Sequence, residues 1–142
     1  MLQTNIETPS LIRRILCMIY DGLLLFAVLF VAGFAFIYLT DFPNQPGLRP
    51  LLQIFLLALM AEYFCWFWCK SGQTLAMKTW RIKLQNRNGV LLSPTQALMR
   101  FALALVGVAM GGLTIVWALY DREQQFLHDR LTGNRLVSVP KQ

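Results

Sequence analysis

Charge is what this 142-residue chain has least of. Only 14% of its residues are Asp, Glu, Lys or Arg, whereas a soluble domain carries roughly a quarter. The apolar residues, 56% of the total, are gathered into long uncharged runs, and that segregation excludes an ordinary water-soluble globule. There is one histidine, His128, and it lies far from the pair Cys65 and Cys69. Those two cysteines sit one helical turn apart among Trp66, Phe67 and Trp68, where an aromatic belt at a membrane interface accounts for the rings. A metal site needs more ligands close by, so none is expected. There is no Gly-rich phosphate loop, no Ser-His-Asp set and no zinc-protease motif. Neither a cofactor nor enzymatic activity is expected. The chain also lacks an internal repeat and a Pro- or Gly/Ser-rich linker, and its length suits one domain.

What is present is three apolar segments, at about 11–40, 50–70 and 95–120. Ser10 is placed to cap the first, which is uncharged from Gly22 to Thr40 and long enough to cross about 30 Å of hydrocarbon. It carries Asp21 early and has no small-x-small cleavage site before the turn at Asp41–Gly47, so it reads as a permanent helix and not as a cleaved signal. The second segment contains one charge, Glu62. Ser93 and Pro94 open the third, and Gly111-Gly112 interrupts it, a place for a bend. Between the second and third segments, Trp80, Ile82 and Leu84 alternate with Arg81, Lys83 and Gln85, which is strand periodicity. Asn88-Gly89 is a hairpin turn, so a β-hairpin is expected over residues 79–92, returning through Val90–Leu92. In the tail, residues 121–142, a short helix over Gln124–Leu131 stops at Gly133, and Leu136–Val139 reads as a strand that joins the hairpin edge. The expected architecture is an all-α membrane protein, a bundle of three hydrophobic helical segments with a small cytoplasmic β-hairpin or sheet.

The balance is basic, with 13 Lys and Arg against 7 Asp and Glu. No separate basic domain exists to bind nucleic acid. The positive residues flank the apolar segments, where anionic headgroups on the cytoplasmic side are their natural partners. If the third segment bends and returns, twelve of the thirteen lie with the N-terminus, and only Arg49 lies on the other side. Three full crossings would instead split them eight to five. The positive-inside rule therefore puts the N-terminus, the second loop and the tail in the cytoplasm, with Asp41–Arg49 outside.

Ionisable residues within the spans need a partner or a wet cavity. Arg14 and Asp21 are two turns apart on one helical face. Glu62 sits at a similar depth, and Arg100 enters on the third segment from the same side. Asp21, Glu62 and Arg100 form the candidate ion or proton site, with Arg14 beside them. A neutral network that fastens helices together accounts for the same residues. For His128-Asp129-Arg130 an interfacial salt-bridge cluster is favoured over a catalytic role, because no nucleophile stands beside it.

Taken together, Arg14 followed by Asp21, Gly72-Gln73-Thr74-Leu75-Ala76-Met77-Lys78 after the second segment, Arg100, and Leu127-His128-Asp129-Arg130-Leu131-Thr132-Gly133 resemble the RDD family of bacterial membrane proteins. The family's signature arginine and two aspartates correspond to Arg14, Asp21 and Asp129. Two departures stand out: Ala76 occupies a position that is usually glycine, and Asn134 one that is often threonine. The resemblance implies an inner-membrane protein in which Asp129 works with Arg14 and Asp21. It implies transport of an unspecified ligand, cation/proton antiport being one form. Two function classes stay open. One is a small transporter, oligomeric because three short spans enclose little volume. The other is a non-catalytic scaffold that recruits a partner through its basic hairpin and tail.

Overall fold

The computed structural model describes residues 7–122 and 126–140. Its elements run α1 (Leu11–Leu39), α2 (Arg49–Lys70), α3 (Leu75–Thr79), β1 (Ile82–Asn86), α4 (Pro94–Ala109), α5 (Leu113–Tyr120), α6 (Leu127–Thr132) and β2 (Asn134–Ser138). Two 3-10 turns, Phe42–Asn44 and Pro46–Leu48, join α1 to α2.

Helix α1 starts where expected, with the Ser10 side chain accepting the Arg13 N–H at 3.4 Å. Its 29 residues make a rod of about 43 Å. Its buried residues, Arg14, Cys17, Asp21, Leu25 and Gly33, fall on one stripe, as helical periodicity requires. Much of the rest of its distal half, including Phe26, Phe30, Val31, Phe34 and Leu39, is exposed. A helix apolar all round that touches so little protein needs lipid for its outer face. Helix α2, 22 residues and about 33 Å long, packs against α1 and α4 and has the same character. Both are long and apolar enough to cross a membrane.

The third apolar segment is broken. Its start follows the sequence: Ser93 and Gln96 form a capping box, and Pro94 occupies the first turn. Its end does not run straight, because Gly111 and Gly112 both adopt left-handed backbone, φ 80° and 78°, and α5 leaves at 96° to α4. α4 and α5 are apolar enough and long enough only when taken together, and at this bend the pair is either a broken span or a re-entrant loop. Their contact is so close that a Cβ on Gly107 would collide with the Thr114 methyl.

The sheet corrects the expected hairpin. Residues 90–92 form no strand, and β1 pairs antiparallel with β2, setting Ile82 opposite Ser138 and Leu84 opposite Leu136. The reason lies at the other edge of β1. There Leu84 N–H donates to Gly72 O at 2.7 Å, and the Gln73 amide donates to Ile82 O at 2.8 Å. The Asn86–Gly89 turn does form. The Asn86 side chain accepts from the N–H groups of Asn88 and Val90, and the chain then passes directly into the α4 cap. Gly72 must be glycine: its φ is +69°, and a Cβ would lie 2.6 Å from Leu84 O. The tail helix begins at Leu127, and the expected start at Gln124 lies outside the described residues. Gly133, in left-handed conformation, ends the helix as expected.

The buried core lies at one end of the bundle. Cys17, Trp68, Ala76, Met77, Ile82, Leu84, Leu92, Ala97, Phe101, Ala118, Phe126 and Leu136 form one cluster there. The N-terminal stretch joins it, with Ser138 N–H donating to Glu7 O and Val139 N–H to Arg81 O, both at 2.8 Å. The start of α1, the second loop and the tail therefore share one end.

Candidate functional site

The charged residues singled out in the sequence converge on this end, but they divide into separate arrangements. Asp21, 6% exposed, is held by α3. The Thr74 hydroxyl donates to its Oδ2 at 2.5 Å and the Tyr63 hydroxyl to its Oδ1 at 3.3 Å. The Ala76 backbone N–H is a third donor. Thr74 also caps α3 by accepting the Met77 N–H at 3.2 Å, so one hydroxyl fixes the short helix and its carboxylate together. This explains the spacing of Gly72 and Thr74: glycine turns the chain under β1, and threonine two residues on faces Asp21. Ala76 makes its contact through the backbone within α3 and needs no special dihedral.

Asp129, fully buried, is paired with Arg100, whose Nε donates to Oδ1 at 2.6 Å. The Arg100 guanidinium also lies over the Trp68 ring, 4.2 Å from its centroid. Asp129 Oδ2 has no hydrogen-bond partner among the described residues. His128 Nε2 is 3.7 Å from Asp129 Oδ1. This is not an ion pair at neutral pH, because burial holds the imidazole down at about pKa 4, against the opposing pull of Asp129, with Arg100 adding to the lowering. Arg130 turns to Asp121 at 3.2 Å. The His128-Asp129-Arg130 run thus fastens α6 to α4 and to the end of α5.

Arg14 is the exception. It is 1% exposed, yet among the described residues its Nε, Nη1 and Nη2 have no hydrogen-bond acceptor. The guanidinium stands over the Phe126 ring, 5.1 Å from its centroid. Asp129 and Asp121 act on it only across space. Arg14 and Asp129, expected to work together, are neighbours without direct contact. Glu62 is not part of the cluster. It is exposed on α2, while Met60, Phe64 and Trp68 take that helix's inner face.

Beside Arg14 is a cavity of about 380 Å³. It exists because α1 and α4 both pack on α2 but scarcely touch each other. Arg14, Asp21, Arg100 and His128 supply its polar lining, and the remaining walls are apolar. Thr74, Tyr63, Trp68 and Phe126 were not anticipated as site residues. Thr74 could have been found as the residue that caps a helix just after a turn glycine. The stacking roles of Trp68 and Phe126 leave no such local signal.

Comparison with known proteins gives a match to the model of the RDD family over residues 8–133. No curated protein and no solved structure matches.

Proposed function

The chain belongs to the RDD family, and we propose that it is a small, non-catalytic transport protein of the bacterial inner membrane. In this reading the third segment enters the bilayer and turns back. Helix α4, with 16 residues, reaches only about 24 Å, short of about 30 Å of hydrocarbon. The N-terminus, second loop and tail then face the cytoplasm and meet anionic headgroups, as the distribution of Lys and Arg favours. The protomers associate, because one copy encloses little volume.

One observation carries the transport reading: a buried guanidinium that has no acceptor among the described residues, beside a cavity. Leaving a buried charge without a partner is costly, and a ligand that supplies an acceptor removes the cost. The same observation favours an anionic ligand over cation/proton antiport. Asp21 already receives three donors, and Glu62 stands apart.

Flux through the reconstituted full-length protein in proteoliposomes, under imposed anion, cation and pH gradients, tests this. Anion flux that falls at least tenfold in Arg14→Gln is the expected result. Cation-dependent proton flux that survives Arg14→Gln but is lost in Asp21→Asn would restore antiport. The absence of any flux would leave the scaffold, for which the exposed Lys78, Arg81 and Arg87 at the same end are the available docking residues.

A further inference from the structure

The shape of the cavity narrows the class of ligand. Most of its charged groups lie at the end where the helices start, and the apolar walls rise from there. Arg14 begins the α1 wall, which continues through Cys17, Met18, Asp21 and Gly22 to Leu25, a rise of roughly 16 Å; Asp21 stands partway up, its carboxylate held by Thr74 and Tyr63. Arg100 begins the α4 wall, which continues through Phe101, Ala104 and Leu105 to Val108, a rise of roughly 12 Å. Both helices climb away from a floor made by Met77, Ile82, Phe126, His128 and Leu136. The upper wall is open: Leu105 is 38% exposed and Val108 56%. The cavity therefore has Arg14 and the Asp129-paired Arg100 at its base and a slot, apolar but for Asp21, that opens between α1 and α4 where these helices present apolar surface to lipid.

We propose that this cavity binds a single-chain anionic amphiphile, with a carboxylate or phosphate head on Arg14 and a hydrocarbon tail between α1 and α4. The proposal rests on the transport reading for its purpose but on the cavity alone for its chemistry. Arg14 supplies a planar fork of donors that matches either head group, and Arg100 lies on the same rim. Asp21, also in the lining, is already met by Thr74, Tyr63 and Ala76. His128 is uncharged at neutral pH. Neither adds a free positive charge, so Arg14 sets the preference for an anion. The volume lies within the range of small-molecule sites. A longer tail can run out past Leu105 and Val108 into the bilayer, so the ligand arrives from the membrane and not from water.

The test is photo-labelling of the full-length protein in phosphatidylcholine nanodiscs by dodecanoate that carries a diazirine near its chain end. Labelled residues are mapped by mass spectrometry, and unlabelled competitors are added in turn. The expected result is labelling within residues 22–25 and 104–108, displaced by dodecanoate and by dodecyl phosphate. Methyl dodecanoate, acetate and inorganic phosphate should compete at least tenfold more weakly. Arg14→Gln should weaken labelling at least tenfold, the loss of a charge-assisted contact. Ala104→Phe fills the slot without touching a charge, and it should do the same if Arg14→Gln does not fold. Equal competition by the methyl ester would reduce the site to an apolar slot and overturn the proposal. Equal competition by acetate or inorganic phosphate would make it a small-anion site and overturn it too, as would absence of labelling at these segments. Labelling as expected without any flux would sink transport while leaving the amphiphile site in place.

Discussion

The two ends of the helical bundle are built on opposite principles. At one end α3, α6, β1, β2 and the N-terminal stretch bury Arg14, Asp21, Arg100, His128 and Asp129 around an apolar cluster. At the other end two 3-10 turns join α1 to α2 with nothing buried, and the local hydrogen bonds from Asn44 to Asp41 are exposed. A soluble bundle would place its core midway along the helices. Here protein packing is concentrated at one end, and lipid is left to hold the distal halves of α1 and α2. Mutations should therefore matter by end and not by chemical type.

The largest effect should come from Asp129→Ala. It strands the Arg100 guanidinium in a buried site, and losing one partner of such a pair costs about 3–5 kcal/mol. Thermal unfolding in detergent micelles would measure it, and a loss below about 1 kcal/mol would mean that the charged end is not what holds the fold. Acidification should come next. Burial depresses the His128 pKa from 6.5 to about 4, so the folded protein binds fewer protons than the unfolded chain between those values. The stability that depends on neutral His128 is complete above pH 6.5 and is lost as pH falls toward 4. The loss is on the order of 3 kcal/mol. His128→Phe should remove that part of the pH dependence, and an unchanged pH profile in this variant would refute the assignment.

Thr74→Val should cost about 2 kcal/mol, because it removes both a helix cap and a donor to a carboxylate. Uncoupling of α3 from α1 should appear as faster amide exchange at Ala76 and Met77. The smallest effect should be Asn44→Ala at the opposite end. Its partners are solvent-exposed, and a change below about 0.5 kcal/mol is expected. A larger loss there would blur the contrast between the ends.

Much of this was legible locally. The Ser10 cap, the Ser93-Pro94 opening, the Gly111-Gly112 break and the Gly133 stop are signals written within a few residues. Family membership was also readable, from the order of Arg14, Asp21, the Gly72–Lys78 stretch and the Leu127–Gly133 stretch. The sheet was only half readable. The alternation around Ile82 and Leu84 and the tail strand at that edge are legible, and β2 does pair with β1, but the return strand at 90–92 does not form, because Gly72 and Gln73 take that edge of β1. Helix α3 has five residues, too few to display a period. Glu62 was misplaced by depth alone. Counting around the helix from Met60, Phe64 and Trp68 puts it on the other side. The Arg100–Asp129 pair was out of reach because opposite charges do not announce which of several partners they choose.

The sheet also sets an order of events during synthesis. β2 is the last of the described elements, and it pairs with β1 while Ser138 reaches back to Arg13, 125 positions earlier. Before Asn134–Ser138 emerge from the ribosome, α1 and α2 can insert and α4 can follow. The floor under Arg14, however, cannot close until β2 is free to pair with β1. A nascent chain stalled before Asn134 would therefore present the charged end incomplete to whatever quality control meets it first.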